Sequence, residues 1–341
     1  MSKAHKKKRK RKNAHPILRA FLIVLALALA AALALGGVLL IAPLTETADT
    51  TAVPGSADWM ARLNDEQPLN ELFLPGTHDS AAQYCALAFF TKCQALSIHQ
   101  QLEAGFRLLD LRLAVNERGD GFILTHGDYV CRTSPFAGTL TFDDVLAACY
   151  VFLDEHPGET VLLAVRQETG NRSTRECQLL LDAYIRENPQ YWLAADTIPT
   201  LGEARGKLVI LRRWEDEVGL REEAGIPFRW RDQGGFEDTS LNAASEDMGS
   251  FTLRVQDRWE YDTEPKWDAF LAGMRGAEEG AVSLSFLSTK GQTRYGHPYE
   301  YANELNARLL EAGDAELTGW IVVDFGDAAI AEKIYRQNQA R

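Results

Sequence analysis

The chain has 341 residues, 46% hydrophobic and 25% charged, enough for one large core or two medium ones. Twelve prolines and 26 glycines exclude a collagen-like or low-complexity chain. The net charge of −12 hides a split: residues 1–45 carry nine Lys/Arg and no Asp/Glu, so 46–341 hold 27 basic against 48 acidic residues, a net of −21. Such a domain lacks the basic footprint that nucleic acid requires.

In chain order, a basic tail (1–19, with an unbroken Lys/Arg run from Lys6 to Lys12) precedes 25 uncharged, mostly apolar residues, 20–44. A bilayer core takes about 20 residues of helix, so the segment is expected to be a single transmembrane anchor. The lysines and arginines hold its start in the cytoplasm and send the rest of the chain outside. A cleaved signal peptide is the alternative; its apolar region is usually shorter, about 7–15 residues, yet the many alanines offer cleavage sites. Residues 45–58 are small and polar and read as a short stalk. A single domain is expected over 59–341.

Five cysteines, Cys85, Cys93, Cys131, Cys149 and Cys177, fall in this exported region, where disulfides are permitted. Closeness in sequence suggests Cys85 with Cys93, and more weakly Cys131 with Cys149. The odd count leaves at least one thiol unmatched within the chain. No C-x-x-C spacing points to zinc.

Eight short apolar runs read as strands, at 72–74, 107–112, 121–125, 160–166, 207–212, 252–256, 281–287 and 320–324. Several, such as VLLAV, LVIL and WIVVDF, are apolar throughout, as suits a parallel sheet covered on both faces. Helical patterns separate many of them, at 97–104, 141–155, 173–186, 264–274, 298–312 and 328–339. Only a turn, 116–121, lies between the second strand and the third. The expected architecture is an α/β fold, a distorted (β/α)8 barrel of the TIM type. Polar groups follow the strands: His78 and Asp79; Asp110 and Arg112; His126; Arg166 and Glu168; Arg213; Asp257 and Trp259; Lys290; Asp324. Strand ends of a barrel converge on one face, which holds the active site.

Two histidines and an arginine on such a face suit phosphodiester cleavage. One imidazole takes a proton from an attacking hydroxyl and the other protonates the leaving oxygen. A guanidinium neutralises charge growing on the phosphate oxygens, and neighbouring carboxylates fix the imidazole tautomers. His99, His156 and His297 carry no such positional signal.

Leu74-Pro75-Gly76-Thr77-His78-Asp79-Ser80, then Gly105-Phe106-Arg107-Leu108-Leu109-Asp110-Leu111-Arg112, then His126-Gly127, resemble the X-domain of bacterial phosphatidylinositol-specific phospholipase C. The likeness continues through Pro157-Gly158-Glu159-Thr160-Val161, Gly206-Lys207-Leu208-Val209-Ile210-Leu211, Val255-Gln256-Asp257 and Trp320-Ile321-Val322-Val323-Asp324, covering about 60–340. It implies a distorted barrel and cleavage of an inositol phospholipid by its own 2-hydroxyl, releasing diacylglycerol and a cyclic inositol phosphate. By motif His78 is the general base with Asp324 as partner, and His126 the general acid with Asp79 as partner. Arg112 matches the phosphate-binding arginine, with Asp110 in the same cluster, and Arg166, Arg213 and Asp257 match positions that bind inositol hydroxyls. Trp259 stands where the bacterial enzymes place a tyrosine, and Arg166 where a lysine is expected, which leaves the headgroup preference open.

In the eukaryotic relatives an acidic residue that helps hold calcium occupies the position of Arg112. A fixed positive charge there implies a site without metal and without cofactor, although Asp110 and Glu168 remain as potential ligands. The expected partners are phosphatidylinositol or a related inositol lipid and the cell membrane. Leu87, Phe89 and Phe90 either touch the bilayer or form a buried turn. Two alternatives stay open: a metal-dependent glycerophosphodiester-type phosphodiesterase, and a tethered module that binds inositol lipids without cleaving them.

Overall fold

The structure, a computed structural model, describes residues 16–169, 172–220, 225–234, 243–275 and 280–339. The Lys/Arg run of the basic tail, with His5 and His15, lies outside the described residues.

The apolar segment is one helix, α1 (Pro16–Thr45). Its flank from Leu18 to Leu35 lies open, with Leu22, Leu25, Leu29 and Leu33 all exposed. It is long and apolar enough to cross a membrane.

The sheet has eleven strands: β1 (Leu74–Thr77), β2 (Leu108–Val115), β3 (Phe122–His126), β4 (Tyr129–Val130), β5 (Val161–Gln167), β6 (Leu208–Arg212), β7 (Ile226–Pro227), β8 (Ala244–Asp247), β9 (Thr252–Gln256), β10 (Val282–Phe286) and β11 (Trp320–Val323). Neighbours run β7-β6-β5-β2-β1-β11-β10-β9-β8. From β7 to β9 every pairing is parallel, which makes eight staves. The first and last staves in sequence lie side by side, Leu74 opposite Trp320 and Thr77 opposite Val323.

Strands stand at or beside all eight expected places, the first shifted from 72–74 to Leu74–Thr77, but not all are staves. The third, β3, folds back antiparallel on β2 across the 116–121 turn and continues into β4. Its place is taken by β7, a two-residue stave with a proline, too short for periodicity to reveal. Among the described residues, β7 and β8 stand at the two ends of this order and do not pair with each other. The Gln233 carboxamide, in the stretch after β7, ties that stretch to the end of β9, donating to the Val255 carbonyl at 3.2 Å and accepting from the Asp257 N–H at 3.0 Å.

Around the sheet lie α2 (Ala88–Thr91), α3 (Ile98–Glu103), α4 (Phe142–Glu155), α5 (Thr174–Glu187), α6 (Leu201–Ala204), α7 (Thr263–Met274), α8 (Pro298–Glu311) and α9 (Ala328–Tyr335). Capping boxes start α3 at Ser97, α4 at Thr141 and α5 at Ser173, each pairing a hydroxyl with the residue three positions on.

Two further findings differ from expectation. The 45–58 stretch is not a free stalk: Glu46 and Ser56 are buried, and Ser56 Oγ donates to the Glu103 carbonyl at 2.6 Å. Cys85 faces Cys131, not Cys93, with sulfurs 3.0 Å apart across a β-bridge. Sequence proximity misled because the β3–β4 hairpin carries Cys131 back over the 85–93 loop.

Candidate active site

Period-two alternation places the polar groups. On β2, Leu109, Leu111 and Leu113 join the core beneath α4, whereas Leu108 joins the other core cluster and Asp110 and Arg112 follow it on the same face. Leu162 and Ala164 lead to Arg166, Val209 and Leu211 to Arg213, and Leu253 and Val255 to Asp257 in the same way. Each strand therefore packs its inward face with apolar residues and ends it with a polar one. The polar ends meet in a cleft of about 730 Å³ lined by His78, Arg112, His126, Arg166, Arg213, Asp257, Trp259 and Asp324, among others.

His78 follows β1, and its N–H donates to the Val323 carbonyl at 2.9 Å. Its Nδ1 lies 2.8 Å from Asp324 Oδ1, and its Nε2 lies 3.1 Å from Arg112 Nη2. A guanidinium only donates, so Nε2 accepts and the proton of the neutral ring sits on Nδ1, toward Asp324. The pKa of His78 is raised above its ordinary value of 6.5: burial opposes the charged form, but the charge and hydrogen bond of Asp324 outweigh burial and Arg112.

The His126 ring lies edge-on to that of His78, 6.1 Å between centroids. Its Nδ1 donates to the Thr91 carbonyl at 2.7 Å, whereas Asp79 Oδ2 stands at 3.6 Å. Motif reasoning supplied Asp79 as the partner, but the hydrogen bond goes to a backbone oxygen, which side-chain patterns cannot reveal. Asp79 is buried at a backbone φ of 40°, and among the described residues neither carboxylate oxygen has a hydrogen-bond partner. Burial raises its pKa, against the attraction of His126 and Arg112.

Arg112 is ringed by carboxylates. Nη1 donates to Glu168 at 3.0 Å, and Asp79 and Asp110 each stand at 3.5 Å. Asp110 also accepts from Arg213 Nη1 at 3.1 Å. Burial would raise the Asp110 pKa, but Arg112 and Arg213 hold it down at about 2. Arg213 is lowered to about 10, chiefly by burial and against the pull of Asp110. It lies 3.6 Å over the Trp230 ring, whose Nε1 donates to Asp257 at 3.0 Å.

On the far wall Trp259 Nε1 donates to Asp232 at 2.7 Å, and Lys290 lies 4.4 Å over the indole. The ring presses on the backbone at Gly234, where any Cβ would come within 2.2 Å of it. Arg166 is the loosest of the group, half exposed and 3.3 Å from Glu168.

All ten residues singled out in the sequence therefore border the cleft or contact its lining. Sequence reasoning missed the roles of Trp230, Asp232 and Cys93. Trp230 and Asp232 lie in the aperiodic stretch after β7, with no strand pattern to mark them. Cys93 Sγ lies 3.6 Å from His126 Nδ1. Ligand atoms of His78, Cys93 and Asp324 fall within 4.8 Å of one another, near enough to share an ion. The sulfur there is a poor thiolate, its pKa pushed well up by burial and by Asp324 and Asp79.

Comparison with known proteins agrees with this geometry. Residues 66–214 match the family model described as phosphatidylinositol-specific phospholipase C, X domain. A 1-phosphatidylinositol phosphodiesterase of Staphylococcus aureus (strain Newman) is 27% identical over 290 residues, which is 79% of this chain and 88% of the relative. Human PI-PLC X domain-containing protein 1 is 30% identical over 211 residues, covering 51% of this chain and 62% of its own. Among solved structures, a double mutant of the S. aureus phosphatidylinositol-specific phospholipase C superposes with a TM-score of 0.69 at 22% identity, over 82% of this chain and 96% of that one. The Listeria monocytogenes enzyme gives 0.61 at 20% identity, over 82% and 98%. The order of strands, the paired histidines and these relatives agree: the chain is similar to the bacterial phosphatidylinositol-specific phospholipases C, with the X domain matched over residues 66–214.

Proposed function

We propose that the protein is a phosphatidylinositol-specific phospholipase C that cleaves the glycerol–phosphate ester by intramolecular attack. The carrying observation is His78, which has Nδ1 on Asp324 and its Nε2 lone pair turned into the cleft, with His126 facing it and Arg112 at hand. The inositol 2-hydroxyl takes the place of Arg112 Nη2 at His78 Nε2 and gives up its proton there as its oxygen attacks phosphorus. The P–O bond to glycerol breaks, and protonated His126 delivers a proton from Nε2 to the leaving oxygen. Diacylglycerol and a five-membered cyclic inositol phosphate result. Arg112 meets the charge growing on the phosphate oxygens. Arg166, Arg213, Asp257 and Trp259 are assigned to the inositol ring.

The Arg112 guanidinium, a fixed positive charge 3.0 Å from Glu168 and 3.5 Å from both Asp79 and Asp110, supports a reaction that uses no metal ion. Helix α1 is assigned as a single-pass anchor in the cell membrane, with the barrel outside the cytoplasm; its bare apolar flank supports this.

The full-length protein in mixed micelles with phosphatidylinositol and EDTA tests the reading, with products followed by phosphorus NMR. A cyclic phosphate resonance is expected, lowered about 10²–10⁴-fold in rate by His78→Ala or His126→Ala. Intact lipid in the presence of folded wild-type protein would overturn it in favour of a lipid-binding module, and activity that EDTA abolishes in favour of a metal-dependent phosphodiesterase.

A further inference from the structure

The end of α1 is fastened to the rim of the cleft. A helix terminus leaves its last carbonyls without partners and carries partial negative charge. Here the Lys92 ammonium, itself buried, meets that end: Nζ donates to the Pro43 carbonyl at 2.7 Å and to the Glu46 carbonyl at 2.6 Å. The Glu46 side chain turns the other way, its Oε1 2.7 Å from His297 Nε2, with both residues buried. His297 stacks on Phe89 at 3.9 Å, which closes the ring of contacts back to α2. Each partner adjoins the cleft: Phe90 and Cys93 flank the Phe89–Lys92 side, and Gly296 and Pro298 flank His297. The exposed apolar side chains of Leu87, just before α2, and Phe90, within it, lie on the element that packs against α1.

Helix length fixes the level of this junction. About 20 residues rising 1.5 Å each cross a hydrocarbon core of about 30 Å. With Arg19 at the near surface, the core is used up near residue 39, and Pro43 to Glu46 fall in the far headgroup layer. Lys92, Glu46 and His297 thus hold the mouth of the cleft at the depth where lipid phosphates lie.

We propose that α1 acts as a rigid strut that presents the cleft to the leaflet in which the protein is anchored, so that the enzyme acts on inositol lipid of its own membrane. A flexible stalk would keep the enzyme nearby but leave its mouth free to turn away; a strut sets orientation as well as proximity. This rests on the assignment of α1 as a membrane anchor and of inositol lipid as substrate.

The test reconstitutes the full-length protein in vesicles holding one fluorescent phosphatidylinositol and mixes them with protein-free vesicles holding another of a different colour. Two variants are compared with wild type: Glu46→Ala, and an insertion of six Gly/Ser residues between Thr45 and Glu46, which frees the helix while sparing every contact within the barrel. Wild type is expected to cleave its own-vesicle lipid about 100-fold faster than lipid in the other vesicles. Both variants are expected to lose about tenfold on own-vesicle lipid and to keep wild-type turnover of a soluble, short-chain phosphatidylinositol. Independently of activity, a fluorophore at Leu87→Cys should be quenched by nitroxide-headgroup lipid, and the insertion should relieve the quenching. Equal cleavage of both vesicle populations by wild type, unchanged own-vesicle turnover in the variants, a parallel loss on soluble substrate, or quenching that survives the insertion would overturn the strut. Protein that washes off the vesicles at high pH would overturn the anchor assignment and the strut with it. Absence of turnover on the soluble substrate would overturn the lipase assignment, while the quenching would still decide the strut.

Discussion

At the scale of single residues, the proposed mechanism makes the Asp324–His78 pair responsible for the pH response. A general base must be neutral, so kcat/KM should fall as pH drops through the raised His78 pKa, above 6.5. In Asp324→Asn the raising charge is gone, and burial and Arg112 both favour the neutral ring. The acid limb of the pH–rate profile is expected to move to lower pH, with the plateau lower by about 10²-fold, since the Nδ1 proton loses its anchor. An unmoved limb would mean that His78 is not the base. Arg112→Lys should cost about 10²–10³-fold in kcat, because one ammonium cannot serve Glu168, His78 and a phosphate oxygen from a planar fork. Magnesium or calcium is expected to leave that variant unrescued. These residues were legible because a strand shows its inward face at every second position, so Asp110 and Arg112, or Leu211 and Arg213, declare a shared face in the sequence itself. The Thr91 carbonyl under His126 was not, since every residue offers the same backbone oxygen.

At the scale of elements, a buried ion pair joins the barrel floor to the segment that enters it. Arg107 Nε donates to Glu159 at 2.9 Å with both side chains fully buried, just ahead of β2 and β5. The remaining guanidinium hydrogens go to the carbonyls of Leu102, Phe106, Ser56 and Ala57. Glu159 in turn accepts from the N–H groups of Met60 and Ala61. Removing one charge would strand the other in a dry interior. Glu159→Ala is expected to destabilise the domain by about 3–5 kcal/mol, read as a lowered denaturation midpoint, while mutants of the cleft such as His126→Ala stay near wild type. The long apolar runs made most staves legible, whereas β7 and the packing of 46–58 depend on contacts far away in sequence. Glu46 and His297 lie 251 positions apart, and no local pattern announces them.

At the scale of the whole molecule, the parallel seam between β1 and β11 ties the two ends of the barrel together. The Asn338 carboxamide reinforces it, accepting from the Phe73 N–H and donating to the Phe73 carbonyl, both at 2.9 Å. A chain ending at Thr318 lacks β11, Asp324 and this clasp. It is expected to show no lipase activity and to lose cooperative thermal unfolding; a cooperative, active truncation would contradict the topology.

That seam has a consequence for biogenesis. The imidazole of His78, the proposed base, is made early, but its carboxylate partner Asp324 emerges from the ribosome 246 residues later. A nascent chain that stops short of β11 has neither the β1–β11 seam nor the Asp324 carboxylate that orients His78. On the assignment of α1 as a membrane anchor, the cleft thus stays latent during translocation and gains its oriented base only once β11 has been made.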